Sequence, residues 1–129
     1  MLVLLTDGED LGSAAKPTSA LEAAERAEVI LYSVAVIDPE FYSDRGMGFH
    51  GNSALKKLSA ATGGKMSRVS DANSTTAVFG QIGKELRGQY LLGYTPSKQG
   101  DGSFRKINVQ VRSGNWRVRA RRGYYSRPE

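Results

Sequence analysis

The chain has 129 residues, of which 40% are hydrophobic and 24% are charged, so its composition allows a folded core and excludes a wholly disordered chain. It contains no cysteine, which excludes a disulfide framework, a thiolate metal site and a cysteine nucleophile. The net charge of +5 is concentrated near the end, since residues 104–129 carry eight Lys or Arg and a single acidic residue.

The first part of the chain predicts alternating strands and helices. The uncharged apolar run from Leu2 to Thr6 is typical of a strand that is buried in a parallel sheet. A helix is predicted from Pro17 onward, with a capping box formed by Ser19 and Glu22. A second apolar strand, rich in β-branched residues, is predicted at 29–37.

The same alternation continues to residue 88. The remaining predicted elements are, in chain order, a long loop at 38–51, a helix that starts at Asn52 or Ser53 and stops at Gly63, a strand at 65–69, and a helix capped within 71–74 that stops near Gly88. The apolar side of that last helix is predicted to consist of Val78, Phe79, Ile82 and Leu86.

Residues 89–129 have a different pattern. A strand is predicted at 89–95, where the segment QYLLGYT is ended by Pro96. Two more strands are predicted at 106–112 and 116–121, because apolar and polar residues alternate strictly in both. The predicted fold class is therefore α/β: a partial doubly wound, Rossmann-like parallel sheet over 1–88, ordered β-α-β-α-β-α, followed by an antiparallel β-meander extension over 89–129.

Acidic residues follow the first predicted strand. Ligands of open parallel sheets bind at the carboxyl ends of the strands, and a carboxylate beside a glycine turn can face Mg²⁺. The residues concerned are Thr6, Asp7, Gly8, Glu9 and Asp10. The alternative is that Asp7 and Gly8 form only a turn, with Glu9 and Asp10 solvated.

The order of several segments resembles the second half of a von Willebrand factor type A domain. These segments are LVLLTDGED, AERAEVILYSVAV, LKKLSAATGGK and VFGQIGKELRGQYLLGYTP, and the later FRKINVQV and VRARRGYY resemble the β-rich tail of a bacterial group of that family. The resemblance covers nearly the whole chain. It implies a doubly wound sheet, non-catalytic adhesion-type protein binding, an extracytoplasmic (secreted or periplasmic) location, and a metal-ion-dependent adhesion site for Mg²⁺ or Mn²⁺ to which Asp7 contributes.

The chain departs from this family in one respect. The family's D-x-S-x-S loop and its threonine ligand lie on upstream elements, and residues 1–6 contain no acid that could replace them. We therefore expect an incomplete metal site that binds Mg²⁺ weakly or not at all, in a truncated chain or a half-domain that a partner chain completes. The strand at residues 2–5 would then be an exposed apolar edge that allows self-association.

The loop at 38–51 offers a further set of contacts. The resemblance places it on the same rim, where a protein partner could contact Phe41, Tyr42, Met47 and Phe49, but these side chains could equally cover the sheet. His50, the sole histidine, and the loop carboxylates fit no metal-ligand spacing. No phosphate loop and no nucleophile elbow occur in the sequence, so no enzyme is predicted.

The basic end of the chain has two interpretations. Its arginines, with Trp116, Tyr124 and Tyr125 for stacking, could bind nucleic acid. Alternatively, strict alternation makes them the solvated face of a half-buried meander. The arginines of this basic face are Arg112, Arg117, Arg119 and Arg121, with Arg122 next to them. We expect the solvated face, and keep nucleic-acid binding as the alternative.

Overall fold

The computed structural model describes residues 1–8, 12–37 and 52–127 and confirms the α/β class. A three-stranded parallel sheet alternates with helices, and a separate pair of short antiparallel strands follows. The elements are β1 (Leu2–Thr6), α1 (Pro17–Arg26), β2 (Leu31–Val36), α2 (Asn52–Ala61), β3 (Met66–Val69), α3 (Ala72–Arg87), β4 (Phe104–Lys106) and β5 (Gly123–Tyr125).

The parallel sheet has the order β1-β2-β3. Leu2 lies opposite Leu31 in the first pair, and Ser33 lies opposite Met66 in the second. Strand β2 is central, and all its residues but the last are buried, as expected for a parallel strand covered on both faces. Strand β1 therefore lies at an edge of this sheet.

Helix α3 covers one face of the sheet. Tyr32 and Val34 of β2 pack there with Val69 of β3, and Ile82 of α3 completes this core cluster. Val78 and Leu86, one turn to either side of Ile82, pack against it as predicted. Phe79, predicted on the same side, is 44% exposed and lies outside this cluster, although it is only about 20° around the helix from Leu86.

Helix α2 is held against the opposite face by buried hydroxyl groups. Ser33 Oγ of β2 and Ser59 Oγ of α2 form a hydrogen bond of 2.8 Å. The Leu31 amide donates to Thr62 Oγ1 at 3.1 Å, and that hydroxyl donates in turn to the Ser59 carbonyl at 3.0 Å. Because buried polar groups are costly unless they are paired, these bonds fix the position of α2 on the strand.

The two predicted helix caps had different outcomes. The cap predicted within 71–74 is confirmed, and the structure shows that it is a capping box: the Asp71 carboxylate accepts from the Ser74 amide at 2.8 Å, and the Asp71 amide donates to Ser74 Oγ at 3.2 Å. The box at Ser19 is wrong, because α1 already begins at Pro17 and the Ser19 amide donates to the Lys16 carbonyl at 2.9 Å. Proline is well suited to a first helical position, and it sets the start of α1 here.

The C-terminal extension is antiparallel, but it has two short strands instead of the predicted three. Phe104 lies opposite Tyr125 and Lys106 opposite Gly123, whereas residues 89–95, 108–112 and 116–121 are not in strands. The ladder stops because the Arg122 amide donates to the Ala61 carbonyl of α2 at 2.9 Å. The preceding residues therefore run beside a helix end instead of a neighbouring strand.

Asp101 ties the beginning of β4 to the end of β5. Its carboxylate accepts from Ser103 Oγ at 2.5 Å, from Ser126 Oγ at 2.7 Å and from the Ser103 amide at 2.9 Å. The hydroxyl of Ser103 first, and then that of Ser126, hold the pKa of Asp101 well below its usual range.

Acid is expected to weaken this contact. Because the pKa of Asp101 is lower in the folded chain than in the unfolded chain, its contribution is complete above the usual aspartate pKa of about 4 and is lost as the pH falls further. We expect Asp101→Asn to lower the free energy of unfolding at neutral pH, and this deficit to shrink as the pH falls below about 4. Urea unfolding of both proteins across that range measures the difference; a deficit independent of pH would contradict it.

Candidate functional site

A tight turn follows β1 at the carboxyl edge of the sheet. Thr6 Oγ1 accepts a hydrogen bond from the Gly8 amide at 3.0 Å, and Gly8 has a φ of 81°, which favours glycine. Asp7 lies between them with an exposed side chain. The structure thus brings together three residues of the predicted rim. The others, Glu9, Asp10, Phe41, Tyr42 and Phe49, lie outside the described residues, as does Met47.

The described part of this edge offers few metal ligands. Asp71 also follows a strand here, but β3 is two strand spacings of about 4.8 Å from β1, and the Asp71 carboxylate caps α3. The Thr6 hydroxyl oxygen already accepts from the Gly8 amide. Among the described residues no group of three or more His, Cys, Asp or Glu could hold a metal ion. One carboxylate does not fit Mg²⁺, which needs several fixed oxygen ligands, so we derive no metal chemistry from these residues.

The outer side of β1 is apolar and open. The Leu2 amide donates to the Ile30 carbonyl at 2.8 Å, and in a parallel pair the residues that bond to the neighbour alternate. The backbone N–H and C=O groups of Val3 and Leu5 therefore point away from β2. Leu2 and Leu5 keep 52% and 55% of their surface exposed, on opposite faces of the strand. In the described structure β1 pairs with β2 alone, so this edge can accept another strand.

A second exposed apolar segment comprises residues 89–95, directly after α3. Tyr90 is 93% exposed and Leu91 is 99% exposed, and Leu92 and Tyr94 are also exposed. Tyr94 Oη donates to Tyr124 Oη at 2.9 Å, which attaches the far end of the segment to β5. The predicted strand is absent from these described residues, because the segment has no strand beside it with which to form a ladder.

The basic face is partly engaged within the chain. Arg119 pairs with Glu85 of α3 at 2.6 Å, and Arg121 lies 3.6 Å from Glu28. Arg112 and Arg117 are exposed. These ion pairs neutralise part of the charge that phosphate groups would need. The half-buried meander expected for this face was wrong, because the residues lie in no strand and Val111 and Val118 are exposed as well. Nucleic-acid binding stays an untested alternative.

Arg122 makes the most buried of these ion pairs. Its guanidinium donates to Glu25 of α1 at 2.5 Å, and the Glu25 side chain is 3% exposed. The hydrogen bond that Arg122 donates to the Glu25 carboxylate raises the pKa of Arg122. We did not predict this pair from the sequence, although Glu25 lies four residues after Leu21 and therefore on the same side of α1 as that apolar residue. The pair fastens the C-terminal segment to α1.

Comparisons with known proteins support the fold alone. No protein-family model matches the chain, and no curated protein matches it. The chain is similar to the crystal structure of an uncharacterized membrane spanning protein from Vibrio fischeri, with a TM-score of 0.52 and 19% identity over 65% of this chain. It covers 45% of the length of that protein. Within the residues that the structure describes, no helix is both long and apolar enough to cross a bilayer.

Proposed function

We propose that this chain is a non-catalytic protein-recognition module with the plan of a von Willebrand A domain, and that it contacts its partner through the carboxyl edge of the sheet. The observation that carries the proposal is the Thr6-Asp7-Gly8 turn, which presents an exposed carboxylate at the end of an edge strand. The parallel α/β layout agrees with the resemblance seen in the sequence. The resemblance also suggests an extracytoplasmic location.

In this proposal Asp7 acts as an exposed anion and hydrogen-bond acceptor. The backbone on either side of it is fixed, on one side by the β1–β2 ladder and on the other by the bond from Gly8 to Thr6. A fixed carboxylate loses little freedom on binding, so a partner's arginine, lysine or amide group can bind it at low entropic cost. A metal-bridged contact would need further oxygen ligands beside those described.

Selection from a random peptide library on the immobilised protein tests this proposal. We expect enriched peptides to bind Asp7→Ala at least about tenfold more weakly than the wild type, because the carboxylate is lost. Lys57→Ala, a change at an exposed position on α2, serves as the matched control and should bind normally. A chelator should have no effect. Enriched peptides that bind Asp7→Ala as tightly as the wild type would refute the role of this rim.

A second candidate function is a structural unit that a partner chain completes at the outer edge of β1. The half-exposed Leu2 and Leu5, together with the outward backbone groups of Val3 and Leu5, favour it. Addition of a strand would bury these leucines and pair the free backbone groups at the same time.

A further inference from the structure

We propose that residues 89–95 of one molecule pair as a β-strand with the outer edge of β1 in a second copy of this chain, and that two copies exchange these segments reciprocally. The inference rests on the second candidate function above and names its partner. It joins two features that stay unpaired in the described structure: an apolar strand edge, and an apolar segment that lies in no strand.

The composition of the segment suits strand formation. It reads QYLLGYT, in which tyrosine and threonine favour strands and no residue is charged. Its middle projects from the fold, since Leu91 is 99% exposed. Beyond the segment, Arg105 donates to the carbonyls of Lys98 and Gln99 at 3.0 and 2.5 Å, and Tyr94 is bonded to Tyr124. The segment is thus attached at its C-terminal end and exposed in its middle.

Backbone geometry makes β1 a suitable acceptor. Val3 and Leu5 direct their N–H and C=O groups outward, and an extended chain presents such groups at every second residue. The segment of seven residues is long enough to cover the five residues of β1. Side chains of the added strand would cover Leu2 on one face of the sheet and Leu5 on the other, where each is about half exposed.

The charges around the two elements are complementary. Residues 1–6 are uncharged in their side chains, and the acids Asp7, Glu9 and Asp10 follow them. Residues 88–100 contain no acid; Arg87 directly precedes them, and Lys98 lies among them. Antiparallel pairing would set Arg87 beside the acidic end of β1, so we infer that orientation.

The contacts of the segment favour a second copy over the molecule's own β1. Tyr94 is bonded to β5, and Tyr90 and Leu91 are more than nine-tenths exposed, so the segment does not cover its own sheet. Each copy carries both the edge and the segment. Two copies related by a twofold axis would therefore form the same contact twice and close into a dimer.

Light scattering after size-exclusion chromatography tests the exchange with two kinds of variant. The edge variant is Leu5→Pro, which removes an outward N–H and leaves the β1–β2 ladder intact. Leu5→Lys, which puts a charge on the edge without altering the backbone, is the second edge variant in case the proline variant does not fold. The segment variant is Leu91→Pro with Leu92→Pro, because one of two adjacent amides must face β1 in either register. Lys57→Ala is the control.

We expect the wild type and the control to be dimers at about 100 μM, above the micromolar range of weak complexes, and each variant alone to be a monomer. An equimolar mixture of edge and segment variants should dimerise again, at least about tenfold more weakly than the wild type, because one of the two contacts remains intact.

A monomeric wild type would overturn the proposal. A segment variant that still dimerises would show β1 pairing with β1, and edge variants that still dimerise would show segment pairing with segment; either result refutes the exchange. None of these substitutions replaces a residue of the Thr6-Asp7-Gly8 turn, so the peptide-binding test of the rim succeeds or fails independently of whether the chain dimerises.

Discussion

Gly64→Ala is expected to destabilise the chain by more than about 3 kcal/mol. A β-carbon at Gly64 would lie 1.9 Å from the Leu31 carbonyl oxygen and 2.7 Å from its carbon, and both are backbone atoms at the start of the central strand. The turn between α2 and β3 would have to move away from β2. That movement would strain the buried hydroxyl bonds between Ser33 and Ser59 and between Leu31 and Thr62. Urea denaturation followed by circular dichroism measures the loss.

Gly80→Ala is the matched control for that variant. Gly80 lies inside α3 and a β-carbon there would have open space around it, so the substitution adds a good helix former without a clash. We expect it to stabilise the chain by about 0.5–1 kcal/mol. If the free energy of unfolding of Gly64→Ala differed from that of the wild type by less than about 1 kcal/mol, this result would contradict the close approach of the turn to β2.

Arg122→Gln is expected to cost about 1–2 kcal/mol, because the buried Glu25 carboxylate loses its charged hydrogen-bond donor, while the Arg122 side chain, which is 54% exposed, limits the loss. The backbone bond from Arg122 to Ala61 does not depend on the side chain, so the substitution tests the ion pair itself. The guanidinium also lies 5.3 Å from the centre of the Phe104 ring, and this contact adds a smaller loss. Thermal and urea unfolding report the change.

A double-variant cycle separates the ion pair from general packing. Glu25→Gln with Arg122→Gln should be more stable than Arg122→Gln alone, because no unpaired buried charge remains. Arg117→Gln, an exposed arginine of the same segment, should change stability by less than about 0.5 kcal/mol. Additive effects of the two substitutions would show that Glu25 and Arg122 do not stabilise each other.

Much of the parallel sheet was predictable from local patterns. The β-branched run before Asp38 became the buried central strand β2, because strands covered on both faces need continuous apolar residues. The uncharged run after Met1 became β1, but its predicted burial was wrong: β1 lies at the sheet edge, and Leu2 and Leu5 are about half exposed. The cap at Asp71 was equally predictable, since capping depends on residues three positions apart. Phe79 shows the limit of this approach: by helical spacing it lies beside Leu86, which packs against the core, yet Phe79 is exposed, because the neighbouring elements determine which residues of a helix face are covered.

The candidate site was predicted in part. The turn at Thr6, Asp7 and Gly8 follows from a strand that ends in a glycine-containing turn, and the structure places it at the carboxyl edge. The exposed segment at 89–95 was not predicted as such, because its composition is that of a strand and only its lack of a neighbour leaves it exposed.

Residue order and hydrophobic spacing alone determined that this chain builds an α/β layer structure, since those signals act over a few residues. Tertiary structure decided how the C-terminal quarter is used. There the Arg122 amide bonds to the end of α2 and its side chain to Glu25, which is 97 residues away. Alternation of apolar and polar residues determines which side chains would share a face of an extended segment, but a β-ladder also requires a neighbouring strand. Contacts far apart in sequence determine whether that neighbour is present.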